Sequence, residues 1–355
     1  MLVLSLALAF TQSPFAPLNH KPLPPSKTDF YFVALGDNRP AGAGLPPTAT
    51  YRELLKEVSI LGPEFVISTG DLLYGNEDTL DQYKQEIAWI KPLLETLPCP
   101  FFNVPGNHEI NNRPEFLAEY QKRLGPLYGK FEFGGYRFVA VCTEIPSPHP
   151  SVFGDQLDWL KQEFSVSKPT FTYQHHPVFE RPTNKDTAEQ AEVENAGELH
   201  KLYQQGGVKI AFEGHDHVYN KQEHDGITYV IAGGSGAPLD AAPTDGGYFH
   251  FVLVHVNGDS VTETPIPMGA IEIVPMGDGV VAAGEYADAE LPVTNLHVMS
   301  REEPKGLTAG YQAKTGKIKS VDATIVRTTK TADGYDTQVS LVLPAHHATI
   351  VRLTF

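Results

Sequence analysis

Five short polar clusters in this chain carry residue types that hold metal ions, and each follows a short apolar run. Gly36-Asp37-Asn38-Arg39-Pro40 follows Phe30–Leu35, and Gly70-Asp71-Leu72-Leu73-Tyr74 follows Phe65–Ser68. Gly106-Asn107-His108-Glu109 follows Phe101–Val104, Gln174-His175-His176-Pro177 follows Thr170–Tyr173, and Gly214-His215-Asp216-His217 follows Val208–Phe212. Aspartate, asparagine, histidine and tyrosine offer oxygen and nitrogen donors of intermediate hardness. These suit Mn, Fe and Zn better than Ca, which takes oxygen alone. The donors exceed what one tetrahedral ion needs, so two ions are expected. A carboxylate can bridge such a pair, and ions roughly 3.5–4 Å apart clamp the attacking and leaving oxygens of a phosphoryl displacement. A glycine before the donor is expected to let the backbone turn sharply and aim the side chain. Each cluster alone is an ordinary turn; the ordered set of five at the ends of apolar runs argues for a site.

Elements must bring those clusters together. Runs rich in Val, Phe, Tyr and Ile predict strands over Phe30–Leu35, Phe65–Ser68, Phe101–Val104, Arg137–Cys142, Thr170–Tyr173, Val208–Phe212, Ile227–Ile231 and Phe249–Val256. Helical periodicity predicts helices over Thr50–Ile60, Leu80–Leu97, Arg113–Leu124, Gln156–Phe164 and Ala188–Gln205. Strand–helix alternation of this kind argues for an α/β sheet flanked by helices. Ligands of such sheets bind beyond the carboxyl ends of the strands, so all five clusters would meet at one rim. Asn257-Gly258 is a hairpin signal. After Pro265 and Pro267 helix patterns nearly vanish, and Ala323–Thr328, Gln338–Leu343 and Thr349–Phe355 alternate like half-buried strands. The expected organisation is a leader over 1–26, a main domain over 27–265 and a small all-β appendage over 266–355, the last holding none of the motif chemistry.

Composition bounds the function. The chain has 355 residues, 41% hydrophobic and 20% charged, which supplies a sizeable core and excludes a disordered chain. Lys+Arg 27 against Asp+Glu 43 gives a net charge of −16, which argues against a long nucleic acid as partner. An anionic substrate would need local positive charge, and bound metal ions could supply it. Two cysteines exclude a disulfide framework and a Cys-rich zinc module; Cys99 and Cys142 are expected as buried free thiols. The apolar run Met1–Phe10 resembles the core of a secretory signal peptide, although no Lys or Arg precedes it. A secreted or periplasmic location is therefore expected; the alternative is a tail packed on the domain of a cytoplasmic protein. No later apolar stretch is long enough for a membrane span.

On these motifs the sequence resembles the calcineurin-like metallophosphoesterase superfamily, from about Phe30 to Val256. The stretch Gln156–Leu160 and the run Ile227–Ile231 leading to Gly233-Gly234-Ser235-Gly236 agree with it. Tyr74, three residues after Asp71, is similar to the purple acid phosphatase branch, where this tyrosine binds trivalent iron. The resemblance implies an α/β fold: a four-layer αββα sandwich of two facing mixed sheets with helices outside. It implies Asp37, Asp71, Tyr74 and His217 at one metal. It implies Asp71 bridging to a second metal held by Asn107, His175 and His215. His108 takes the family role of orienting the phosphoryl group and helping the leaving group depart, and His176 is expected to line the substrate pocket. One departure is Arg39, where most of the superfamily has a histidine ligand and purple acid phosphatases have glycine. A guanidinium stays protonated and has no lone pair, so Arg39 cannot ligate. It either forks onto phosphate oxygens as a catalytic and substrate-binding group or turns away to an acidic partner.

The function expected is a metal-dependent phosphoester hydrolase, a phosphomonoesterase or phosphodiesterase acting on a small phosphoester. A hydroxide shared by two metals (Fe, Mn or Zn, with Fe(III) at the Tyr74 site) would attack phosphorus in line. The alternative is a metal-binding but weakly catalytic receptor or scaffold that uses the β appendage as its interaction module.

Overall fold

The computed structural model describes residues 15–110, 113–145, 150–181, 193–276, 279–284 and 287–355. Through the main body the chain runs β1 (Asp29–Leu35), α1 (Ala49–Leu61), β2 (Val66–Ser68), α2 (Leu80–Glu95), β3 (Phe101–Asn103), α3 (Asn107–Ile110), α4 (Pro114–Arg123), β4 (Gly129–Phe133) and β5 (Tyr136–Val141). It continues through β6 (Glu144–Ile145), β7 (Ser151–Val152), α5 (Gly154–Glu163), β8 (Thr170–Gln174), α6 (Ala196–Gly206), β9 (Val208–Glu213), β10 (Tyr219–His224), β11 (Ile227–Ala232), β12 (His250–Asn257) and β13 (Ser260–Pro267). Two mixed sheets result, ordered β13-β12-β1-β2-β3 and β10-β11-β9-β8-β5-β4. The motif-bearing strands pair in parallel, β1 with β2, β2 with β3 and β8 with β9. Their carboxyl ends therefore point to one rim.

An aromatic core holds the two sheets face to face. Phe32 of β1 meets Phe138, Phe171 and Phe212 of the other sheet edge-on, at centroid distances of 5.3, 5.3 and 5.9 Å. Phe65 and Phe102 stand against Phe131 at 5.2 and 3.9 Å. Each such ring taken out of water contributes about 1.5–3 kcal/mol, and edge-on pairing adds to that. Helices cover the outer faces. Thr48 caps α1 by accepting from the Tyr51 amide at 3.1 Å, and Gly62 ends it in the left-handed region at φ 62. Thr79 and Gln82 form a reciprocal capping box at the start of α2. The architecture is the expected α/β sandwich.

The remaining chain is all β: β14 (Glu272–Met276), β15 (Gly279–Ala283), β16 (Leu291–Ser300), β17 (Gly306–Gln312), β18 (Ile318–Ser320), β19 (Ala323–Thr331), β20 (Gly334–Leu343) and β21 (Ala348–Thr354). They form sheets ordered β14-β15-β21-β17-β18 and β16-β20-β19. Helix α1 anchors them. The Asn295 amide donates to the Ser59 carbonyl at 2.9 Å, and the Thr294 hydroxyl reaches the carbonyls of Leu61 and Gly62. The buried Glu57 carboxylate accepts the amides of Gly269 and Ile271 at 2.7 and 3.2 Å.

All eight strands predicted for the main body are present, and each lies within a residue or two of its expected bounds. The helix predicted over Ala188–Gln205 begins only at Ala196, and residues 188–192 lie outside the described residues, as does the run Met1–Phe10. Cys99 and Cys142 are buried cysteines outside any disulfide. Among the described residues no helix is long and apolar enough to cross a membrane.

Candidate metal centre

The five strand ends deliver their side chains through loops tied to one another. The Asp37 amide donates to Gly70 O at 3.0 Å, Asn38 to Asp71 O at 3.1 Å, Gly214 to His175 O at 2.8 Å and Ala237 to Asp37 O at 2.8 Å. Asp37, Asp71 and His215 sit in the left-handed region at φ 57, 55 and 69. That conformation costs a non-glycine residue about 1–2 kcal/mol, so the turn strain expected of the glycines falls largely on the donors themselves. Gly106 does not adopt positive φ; it is glycine because a Cβ there would lie 2.2 Å from Asp71 Oδ1 and 2.9 Å from His175 Cε1.

Around Asp71 the predicted donors converge. His175 Nε2 lies 2.7 Å from Asn107 Oδ1, 3.3 Å from His215 Nδ1 and 3.5 Å from Asp71 Oδ1. His215 Nδ1 is 3.3 Å from Asn107 Oδ1. On the other side, donor atoms of Asp37, Asp71 and His175 lie within 4.8 Å of one another, and His217 Nε2 is 3.8 Å from Asp37 Oδ1. Tyr74 stands beside this group. Its ring centroid is 5.5 Å from that of His108, and the Arg39 guanidinium carbon lies 5.8 Å from the same ring. His108 Nδ1 meets the Tyr74 carbonyl, while Nε2 lies 3.2 Å from Asn76 Nδ2 and 3.8 Å from Asp71 Oδ2. Arg39 faces the site: Nε is 3.7 Å from Asp71 Oδ2 and is buried without a hydrogen-bond partner.

The electrostatics suit cations. Burial, then the charge of Asp71, pushes the Asp37 carboxyl well up. Asp71 feels the same burial, but His175, His108 and Arg39 outweigh it and hold its carboxyl low. Burial lowers His108, His175 and, most strongly, His215, whose histidine neighbours add to the effect. Neutral imidazoles keep their lone pairs, which a metal ion requires. A cation between Asp37 and Asp71 would offset the burial and mutual repulsion that disfavour the charged form of Asp37.

Sequence reasoning missed the groups that hold the donors. Glu109 accepts the amides of Asp71, Leu73 and Gly106 at 2.9, 2.8 and 2.7 Å, fixing two motif loops at once. Glu86 of α2 accepts from the Tyr74 amide at 2.7 Å. Asp216 accepts from buried Arg181 Nε at 2.6 Å. Asp240 accepts the His217 amide at 2.8 Å. Glu144 accepts from His176 Nδ1 at 2.6 Å. Glu144 stands just beyond the end of β5, and the strand-end rule that picked the five clusters would have picked it too.

Residues 28–219, more than half of the chain, match the Calcineurin-like phosphoesterase family. The chain belongs to that family. It is 25% identical over 243 residues to tartrate-resistant acid phosphatase type 5 of Rattus norvegicus, covering 57% of this chain and 71% of that one. In fold it matches the purple acid phosphatase from yellow lupin (Lupinus luteus) seeds, with TM-score 0.55 and 20% identity over 70% of this chain. The chain spans 53% of the lupin enzyme's length. It is also 27% identical over 253 residues to the cAMP/cGMP dual specificity phosphodiesterase of Mycobacterium tuberculosis, 67% of this chain and 77% of that protein. As a calcineurin-like phosphoesterase it carries the metal-dependent, phosphoester-directed chemistry of its family.

Proposed function

We propose that this chain is a dinuclear phosphoester hydrolase with a preference for phosphomonoesters. The observation that carries the reading is the convergence of Asp37, Asp71, Asn107, His175, His215 and His217 at one buried rim. This donor set fits two ions. Asp37, Asp71, Tyr74 and His217 would hold one, with the Tyr74 phenol suited to Fe(III). Asp71, Asn107, His175 and His215 would hold the other, suited to Fe, Mn or Zn. Bound there, the ions would supply a nucleophilic oxygen at neutral pH and neutralise charge gathering at phosphorus. The protein's own groups do the rest. The Tyr74 carbonyl takes the His108 Nδ1 proton and orients the ring; a substrate dianion beside it would favour the imidazolium, whose Nε2–H would contact a phosphoryl oxygen and hand its proton to the departing alkoxide. Arg39 offers a buried, unpartnered Nε beside Asp71, and its planar fork suits the oxygens of a dianion. A phosphomonoester presents that dianion and a diester does not. The run Met1–Phe10 supports export of the enzyme.

The test is paired hydrolysis of p-nitrophenyl phosphate and bis(p-nitrophenyl) phosphate by protein loaded separately with Mn, Fe and Zn. Monoester turnover is expected to be the faster and to collapse in His108→Ala. Faster diester turnover overturns the monoester preference. Turnover of neither substrate by metal-loaded protein overturns the enzyme reading and favours a metal-binding scaffold.

A further inference from the structure

Three imidazoles, not two, gather at the second metal position, with a donor nitrogen of each within 4.8 Å of the others. His175 is held at Nδ1 by the Thr69 carbonyl at 3.0 Å, which leaves Nε2 open. His215 presents Nδ1, 3.3 Å from that atom. His176, the next residue along from His175, is held at Nδ1 by Glu144 Oε1 at 2.6 Å, which leaves Nε2 as its accepting nitrogen. The residue is only 4% exposed, its ring packs 4.0 Å from that of His215, and donor nitrogens of all three histidines lie within 4.8 Å of one another. A neutral imidazole that donates through Nδ1 can only accept at Nε2. Phosphate oxygens also only accept, so this tautomer suits a cation better than a phosphoryl group. A ring nitrogen donating to a carboxylate while its other nitrogen faces a metal position is the arrangement that orients histidine ligands and raises their basicity.

We propose that His176 is an additional ligand of the second metal, joining His175 and His215, with Glu144 as its positioning residue. The Thr143 hydroxyl supports the carboxylate from the other side, donating to Glu144 Oε1 at 2.8 Å and accepting the His176 amide at 3.1 Å. Ring orientation is thus fixed from the start of β6, which carries Glu144, and the loop after β8 together. Three nitrogens at one position favour Zn or Fe over Mn, which prefers oxygen-rich sites.

The inference rests on the dinuclear reading, and the experiment separates the two. Metal-free wild type, His176→Ala and Glu144→Gln are titrated with Co(II), following bound stoichiometry by calorimetry and ligand geometry by the visible d–d bands. Wild type should bind two ions. His176→Ala should bind the second at least 10–100-fold more weakly with a changed spectrum, and Glu144→Gln should weaken it by roughly 10-fold with a smaller spectral change. Circular dichroism should be unchanged in both. If wild type binds two ions and His176→Ala matches it in affinity and spectrum, His176 is not a ligand. If wild type binds fewer than two, the dinuclear reading itself fails. If His176→Ala misfolds, Glu144→Gln decides alone: a wild-type second-site affinity in that variant overturns the assignment.

Discussion

Gly106→Ala is the most direct probe of how tightly the centre is built. Gly106 does not adopt positive φ, so alanine imposes no backbone strain, and the whole effect is steric. The added Cβ would stand 2.2 Å from Asp71 Oδ1 and 2.9 Å from both the Asp71 amide nitrogen and His175 Cε1. Ordinary contacts sit near 3.5 Å, so the Asp71 carboxylate must retreat by about 1 Å or the Asn107 loop must lift. Overpacking of this kind costs about 1–3 kcal/mol, and misplacing a reacting group by 1 Å costs roughly 100-fold in rate. The expected variant is folded, melts several degrees lower, binds metal at the shared carboxylate more weakly and turns over p-nitrophenyl phosphate about 100-fold more slowly. Gly197→Ala is the matched control. That glycine lies exposed in α6 with nothing within 4 Å of an added Cβ, and alanine there should gain up to about 1 kcal/mol with full activity. A Gly106→Ala protein with wild-type metal content and turnover within threefold of wild type would refute the role given to Asp71.

Arg39→Ala should cut monoester kcat/KM by roughly 10–100-fold, the worth of one or two charge-assisted hydrogen bonds, and leave diester turnover much less affected; equal losses on both substrates would count against the dianion fork. Tyr74→Phe should keep the fold and abolish the phenolate-to-iron absorption of iron-loaded protein; an unchanged visible spectrum would remove Tyr74 from the ligand set. His250 lies fully buried away from the metal ligands, and burial, only partly opposed by the Tyr248 carbonyl, lowers it from 6.5 to about 4. The unfolded chain therefore takes this proton first: stability is intact above about pH 6.5 and falls, by up to about 3 kcal/mol, as pH drops toward 4. His250→Asn retains a donor for Tyr248 O, and urea titrations at pH 7 and pH 4.5 should show a smaller acid loss than in wild type.

The parallel strands were legible because burial on both faces leaves a continuous apolar run, as in Phe30–Leu35 and Val208–Phe212, and because β1, β2, β3, β8 and β9 each lead into a metal-type donor. The edge strands of the six-stranded sheet were not. β10 reads Tyr-Asn-Lys-Gln-Glu-His, with no apolar run at all, and it becomes a strand by pairing with β11 from Tyr219↔Ala232 to His224↔Ile227 across the Asp225-Gly226 turn. β4 does alternate, with Phe131 and Phe133 inward and Lys130 and Glu132 outward, but five residues beside Gly134-Gly135 look like loop when read locally. In the C-terminal sheets only the three strands with clean alternation stood out. β16 breaks its alternation at a register shift between Val293 and Leu296, where Thr294 and Asn295 turn outward to grip α1. The donors at the site were readable as types in order. Their supports were not, since Glu109, Glu86, Asp240 and Glu144 act on backbone amides or ring nitrogens that become neighbours only once the sheets face each other.

The placement of strain in this molecule follows from where its stability is generated. Three donors sit in left-handed backbone at about 1–2 kcal/mol each, and two carboxylates are buried side by side. None of this could persist in a loosely tied loop, because a loop relaxes to remove strain. It persists here because each strained residue lies one to three residues beyond a strand packed on the phenylalanine core. The loops also brace one another: Asp37 accepts the His215 amide at 3.0 Å, Asp71 accepts the His108 amide at 3.1 Å, and Glu109 holds the amide of Asp71 itself. The same carboxylates that would take up metal thus serve, before any metal arrives, as acceptors for the neighbouring motif's backbone. One oxygen set does both tasks, so the polypeptide can hold the donors in place without help from the ions. The sharpest steric margin is then where a carboxylate meets a glycine, at Gly106.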